Sequence, residues 1–155
     1  MAKTSPGNVK ILAKNRKAHF DYFIEDRYEA GVSLLGSEVK SIRAGHISLG
    51  ESYAKFSAND RPELFLLNCH VAEYAWANRN NHDPLRPRKL LLHKRELARL
   101  SEAVVREGRT IIPLAVYLKD GKIKIELGLG KGKKLYDKRD TLKAKSVAKE
   151  LAHGE

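Results

Sequence analysis

Residues 128–139, GLGKGKKLYDKR, hold the densest group of chemistry-bearing side chains in this sequence. Lys131, Lys133, Lys134, Lys138 and Arg139 fall within nine positions and follow or interleave with Gly128, Gly130 and Gly132. Lysine and arginine neutralise backbone phosphates, and glycine lets main-chain N–H groups approach an anion, so the simplest chemistry here is a phosphate-contacting edge. A solvated charge run would account for the same residues. The whole chain favours the first reading, because 30 Lys and Arg against 19 Asp and Glu give a net charge of +11. That imbalance suits a protein that meets nucleic acid or another acidic surface.

Other chemistries find little support. Cys69 is the only cysteine, which excludes an intrachain disulfide and a cysteine-rich zinc site. His70 and Cys69 read as ordinary strand residues, since His19, His46, His82, His93 and His153 show no metal-ligand spacing around them. Asp137 and Asp140 lie among basic residues in a segment expected to be mobile, whereas acid–base or metal-assisted work needs rigid carboxylates. GLGKG lacks the spacing and following Ser or Thr of a P-loop, and lacks the helix and downstream acid of a dinucleotide site. The chain therefore reads as a non-enzyme with no metal and no other cofactor.

The elements that must position the basic groups are legible to different degrees. Residues 110–129 form the clearest: Asp120-Gly121 is a two-residue type I′ turn signal, and the register it sets pairs Leu118 with Ile123, Val116 with Ile125, Leu114 with Leu127 and Ile112 with Leu129. On the other face Tyr117 falls opposite Lys124, beside Lys122, where it could stack on a base or simply belong to a solubilising wall. Apolar residues alternate from Phe20 to Leu34, too long for an ordinary strand without a bulge near residues 25–27. Ser37 can cap a short helix over 38–44 that carries Val39 and Ile42 inward and stops at Gly45. Residues 51–57 and 63–71 read as a hairpin joined by 58–62. His93 can cap a second helix, with Glu96 reaching back, a Leu92–Leu97 staple, Leu97, Leu100 and Val104 inward, and Gly108 as its stop.

Between these lies a second basic group, residues 78–89, NRNNHDPLRPRK, twice interrupted by proline and carrying four basic residues. It reads as an exposed loop, and its length and charge favour a functional one. Residues 1–18 read as a basic, loosely held arm with at most one short strand. After Tyr136 the period changes to that of a helix, with Ala144, Val147, Ala148 and Leu151 on one side and Lys138, Lys145 and Lys149 on the other. That stripe is too thin to fold alone, so a disordered-to-helical tail is expected. The N-terminus has no apolar h-region and no run approaches about eighteen apolar residues, which points to the cytoplasm and away from a membrane.

Five or six mostly antiparallel strands with two or three short helices predict a mainly β fold, a small antiparallel Greek-key barrel of the OB-fold type with a flexible basic C-terminal tail. Residues 19–130 would form the barrel, 1–18 the arm and 131–155 the tail. Fold alone leaves function open. A ribosomal or assembly protein could use the same barrel without a free amphipathic tail, and an RNA-processing nuclease would need clustered carboxylates and a metal.

Five blocks carry a resemblance: NRKAHFDYFIE (15–25), YEAGVSLLGSEVKSIRAG (28–45), SYA (52–54), RKLLLHKREL (88–97) and GKGKKLYDKR (130–139). In content and order they resemble the SsrA-binding protein family, also called small protein B. The resemblance implies a non-enzymatic protein that binds transfer-messenger RNA and delivers it to stalled ribosomes for trans-translation, and a monomer is expected. It also implies RNA binding by Glu29, Leu91 and Lys124, and places Asp137-Lys138-Arg139, with Tyr136 beside them, in the ribosomal decoding site. The full candidate RNA-binding set is Asn15, Arg16, Lys17, Glu29, Arg88, Lys89, Leu91, His93, Lys94, Lys124, Lys131, Gly132, Lys133 and Lys134. Two departures stand out: Gly130 replaces a residue commonly alanine in the family, and residues 140–155 carry three Lys against three acids where family tails are usually basic.

Overall fold

Asp120 and Gly121 both take positive φ (52° and 78°), as a type I′ turn requires, and they join two long antiparallel strands of the computed structural model. The structure describes residues 9–57, 63–74, 81–134 and 138–139. In chain order the elements are β1 (Val9–Lys14), α1 (Arg16–Asp21), β2 (Tyr22–Val32), α2 (Gly36–Arg43), β3 (Ile47–Ser48), β4 (Tyr53–Phe56), β5 (Leu64–Leu67), β6 (His70–Val71), β7 (Arg88–Leu91), α3 (Lys94–Glu107), β8 (Thr110–Lys119) and β9 (Lys122–Gly132). All strand pairs are antiparallel. The main sheet runs β1-β8-β4-β5-β7-β2-β9, and β9 also pairs with β8. The sheet thus curls back on itself, but the β4–β8 seam is a single pair, Ala54 with Ile111, so the barrel is only loosely joined there. A mainly β fold compatible with the OB type is what the sequence predicts.

The β8–β9 register departs from expectation halfway along. Leu118 faces Ile123 and Val116 faces Ile125 as predicted, but a bulge at Leu114 then shifts the ladder, so that Pro113 meets Leu127 and Ile111 meets Leu129. Ile111, Val116, Ile125, Leu127 and Leu129 fill the main core, whereas Ile112 and Leu114 form a second small cluster with Ala18 of α1, Tyr22 and Ile24. The physical reason is that residues 111–114 are apolar on both faces, and α1 covers the second one. Gly128 and Gly130 belong to this arrangement. A Cβ at Gly128 would stand 2.8 Å from Leu114 Cδ1, and one at Gly130 would stand 2.9 Å from Ile112 Cδ1 and 3.0 Å from Tyr22 Cβ. These two glycines make room for packing instead of opening the backbone to an anion.

The N-terminal half also differs from the prediction. Residues from Val9 onward are not a loose arm, because β1 pairs along β8 with Ile11 opposite Tyr117. Phe20 and Asp21 belong to α1, a helix the alternating pattern concealed, and β2 begins only at Tyr22. The bulge expected near residues 25–27 is present, between Ile24 and Asp26. The 63–71 run is two strands, broken at Asn68 with φ 57°, and β6 leaves the main sheet to pair with β3. Arg88 and Lys89 are not loop but the start of strand β7, since Leu64 and Leu66 of β5 stand opposite Leu90 and Arg88. The joining segment 58–62 lies outside the described residues.

Capping follows the sequence closely at α3, where the His93 amide donates to Glu96 at 3.1 Å and Gly108 takes φ 68°. At α2 the cap is Leu35, whose amide donates to Glu38 at 2.8 Å, and the expected cap Ser37 meets His82 Nδ1 at 2.8 Å. Glu38 is fully buried yet ionised. Burial would raise its pKa, but hydrogen bonds from Arg86, the Leu35 amide and Arg88 together pull it down to about 2.

Candidate nucleic-acid interface

Strand alternation builds one outward row across five strands. Leu91 on β7 stands opposite Gly31 on β2, Gly31 opposite Lys124 on β9, Lys124 opposite Tyr117 on β8, and Tyr117 opposite Ile11 on β1. The intervening residues Ala30, Ile125 and Val116 are buried, which fixes the row to the outer face. Leu91 and Ile11 are about half exposed, at 49% and 53%. Gly31 leaves this part of the wall low, and Leu91 leans over it with its Cβ 3.4 Å from where a Gly31 Cβ would be.

Glu29 is two residues before Gly31 on the same face of β2. Its carboxylate accepts a hydrogen bond from the Tyr117 hydroxyl and meets Lys119 Nζ at 3.4 Å. Burial alone would raise its pKa. The Tyr117 and Lys119 contacts, aided by the Lys124 charge, outweigh that and hold the carboxyl below its ordinary value. Burial and the same carboxylate push the Tyr117 phenol well above its ordinary value, so it stays a neutral donor. Glu29 is thus a fixed anion among lysines. It repels phosphate but can accept from a base N–H or a ribose hydroxyl.

Glu29, Leu91 and Lys124, separated by up to 95 positions in sequence, therefore share one wall of the barrel. Tyr117 does not offer the ring that the sequence left open for stacking. It is 5% exposed, and its hydroxyl is committed to Glu29. Lys119 and Ile11 complete the wall and were missed; the alternation of β1 and the Lys119–Lys122 pair beside the turn were the available signals.

The other candidates divide. Asn15 is buried, its Oδ1 accepting from Ala18 N at 3.2 Å and its Nδ2 donating to Pro113 O at 2.9 Å, so it caps α1 and ties it to β8 instead of facing a ligand. Arg88 is 1% exposed and donates to Glu38 at 2.7 Å and to the Cys69 carbonyl at 2.8 Å; strand alternation turns it into the core, not outward. Arg16, Lys17, Lys89, His93 and Lys94 are exposed, with Lys17 paired to Glu51 at 2.6 Å and Lys89 to Glu63 at 2.5 Å.

Lys131 and Gly132 are exposed at the end of β9, beyond the section that α1 covers. Lys133 donates to the His19 carbonyl at 3.0 Å and lies 4.9 Å from the centre of the Phe23 ring, and Lys134 is exposed. Lys138 lies 3.3 Å from Asp21, and Arg139 is exposed. Tyr136, Asp137 and residues 140–155 lie outside the described residues.

Among the described residues no three His, Cys, Asp or Glu side chains gather as a metal site, and no helix is long and apolar enough to cross a membrane. Cys69 is buried, and burial pushes its thiol up to about 11, which leaves it inert as a nucleophile.

Comparison with known proteins covers nearly the whole chain. A family model described as SmpB protein matches residues 12–154. The SsrA-binding protein of Anoxybacillus flavithermus is 51% identical over 145 residues, covering 94% of this chain and 92% of its own length. That of Bacillus subtilis is also 51% identical over 145 residues, with 94% and 91% covered, and that of Symbiobacterium thermophilum is 51% identical with 93% and 90% covered. A solved chain from work described as "tmRNA-SmpB: a journey to the center of the bacterial ribosome" superposes with a TM-score of 0.66 at 43% identity. The match covers 84% of this chain and 93% of that one.

Proposed function

The chain belongs to the SmpB protein family, and from that membership we propose that it binds transfer-messenger RNA and delivers it to stalled ribosomes for trans-translation. One observation carries the proposal: half the residues are identical to SsrA-binding proteins along more than nine-tenths of the chain. In this reading the barrel, with β1 as its outer strand, holds the tRNA-like part of the RNA. Glu29, Leu91 and Lys124 make its central contacts, and Lys131, Gly132, Lys133 and Lys134 extend them toward the tail. Leu91 supplies an apolar surface for a base or ribose, Lys124 a phosphate partner and Glu29 an ionised acceptor. Arg16, Lys17, Lys89, His93 and Lys94 contribute flanking contacts.

Residues 136–155 act separately. Tyr136, Asp137, Lys138 and Arg139 enter the decoding site, which requires Lys138 to leave Asp21, an exchange of one partly exposed ion pair for another. No catalytic chemistry is involved, and the site of action is wherever ribosomes stall, the cytoplasm.

The test is recovery and sequencing of the RNA bound to the full chain, together with a deletion of residues 136–155. Transfer-messenger RNA should dominate the recovered RNA. The deletion should keep its affinity and the barrel's melting temperature while abolishing peptide tagging on a stalled ribosome. Recovery of ribosomal RNA alone would overturn the function, and a truncated protein that still tags would overturn the division of labour.

A further inference from the structure

On the outer face of the β4-β5-β7 wall, Lys55 stands opposite Phe65, and Phe65 stands opposite Lys89. One aromatic ring is thus flanked on both neighbouring strands by a lysine at cross-strand spacing, about 4.8 Å between backbones. Their inward neighbours Ala54, Leu64, Leu66, Arg88 and Leu90 are all buried, so this row faces out by the same alternation that builds the core. Lys55 and Lys89 are exposed, and Phe65 is half-buried. With Phe56, Leu67 and Pro87, Phe65 lines a shallow groove of about 280 Å³. The core accounts for the inward residues Leu64 and Leu66 of β5, whereas Phe65 lies on the opposite face of the strand.

We propose that this row is a second RNA contact, in which an unpaired nucleotide stacks its base on Phe65 while adjoining phosphates meet Lys55 and Lys89. A nucleotide fits the charges on the page. An apolar protein surface would have to desolvate both ammonium groups to reach the ring, whereas a base brings a π-face together with the anions that lysine neutralises. The base must be unpaired, because a duplex offers only edges and backbone. Lys89 exchanges its surface pairing with Glu63, both side chains about 40% exposed, at little cost. Lys89 is also two residues before Leu91 on the same face of β7, so the platform continues the Leu91-Gly31-Lys124 row around the barrel. The proposal rests on the RNA-binding reading above and adds a site to it.

The experiment uses the full chain with transfer-messenger RNA, measuring affinity for the wild type, Phe65→Ala, Phe65→Tyr, Lys55→Ala and Lys124→Ala, with thermal melts as folding controls. Phe65→Ala should weaken binding about 10-fold, the value of one stacked base, and Phe65→Tyr should restore it. Lys55→Ala should lower the salt dependence by about one counterion. In a Trp76→Phe background, Phe65→Trp should place an indole whose fluorescence is quenched by the RNA and left unquenched by a fully paired RNA duplex. Unchanged affinity and unquenched fluorescence in the Phe65 variants, with Lys124→Ala still weakening binding, would overturn this site alone. Quenching that follows protein concentration without RNA would assign the groove to a second copy of the chain and overturn it equally. A wild type that does not bind the RNA at all would overturn the functional reading first.

Discussion

At the scale of single residues, the outer wall depends on how Glu29 is held. A carboxylate between Tyr117 and Lys119 gains two partners and loses mobility, so its position is set before any RNA arrives. Tyr117→Phe removes one donor and keeps the ring. Stability should fall by only about 1 kcal/mol, the net worth of one hydrogen bond. The Glu29 pKa, read from its carboxyl carbon resonance, should rise toward the ordinary value because a contact that lowers it has gone. An unmoved resonance midpoint would mean that Lys119 and Lys124 set the charge without Tyr117. Asn15 and Arg88 show the opposite case, in which residues suited to RNA serve the fold. Both sit on strand or helix ends whose carbonyls or carboxylates need a buried donor, and each provides one.

At the scale of elements, α2 is locked to β7 through the Glu38 carboxylate. A carboxyl whose folded pKa lies below its unfolded value stabilises the fold fully above the unfolded value, and that contribution is lost as pH falls through the folded one. For Glu38 the window runs from the ordinary 4.5 down to about 2. Urea melts across that range should lose about 3 kcal/mol from this group. Glu38→Gln should remove that acid-sensitive step and cost about 3–5 kcal/mol near neutral pH, because Arg86 and Arg88 would be left without their counter-charge. If the variant kept the wild-type acid profile, another carboxylate would be responsible.

The β9 glycines give a second element-scale prediction. Gly128→Ala places a methyl against Leu114 and should cost about 1–3 kcal/mol by overpacking, whereas Gly132→Ala meets open space and should change little. Pairing Gly128→Ala with Leu114→Ala should cost less than the sum of the two single changes. Strict additivity would show that the methyl clashes elsewhere.

For the whole molecule, the net charge of +11 makes association with RNA an ion-exchange reaction. Affinity for transfer-messenger RNA should fall on the order of a hundredfold or more between low and moderate salt. Lys124→Ala should reduce the slope by about one counterion, without altering stability beyond about 0.5 kcal/mol. A flat salt response would place the binding energy in apolar contacts such as Leu91 instead of in phosphates. Long-range strand pairing makes this face possible, since β2, β7 and β9 each supply one of its three central residues.

By itself the sequence determined the elements whose signals are local. Asp120-Gly121 defines its turn through backbone conformation, Glu96 and Gly108 bound α3 through caps, and the alternation on β2 requires a bulge, all within a few residues of chain. The net charge, and the five sequence blocks, pointed to RNA for the same reason: neither depends on where the strands finally pair. What only the tertiary structure decided was which side is dry where a strand is apolar on both faces or its partner lies far off in sequence. The bulge at Leu114, α1 over Ile112 and Leu114, and the turning inward of Arg88 each follow from which partner lies across the sheet, and a period of two cannot choose between a core face and a face that another element covers. The same limit hid the Glu29–Tyr117 contact, which joins residues 88 positions apart on strands that are not neighbours in sequence.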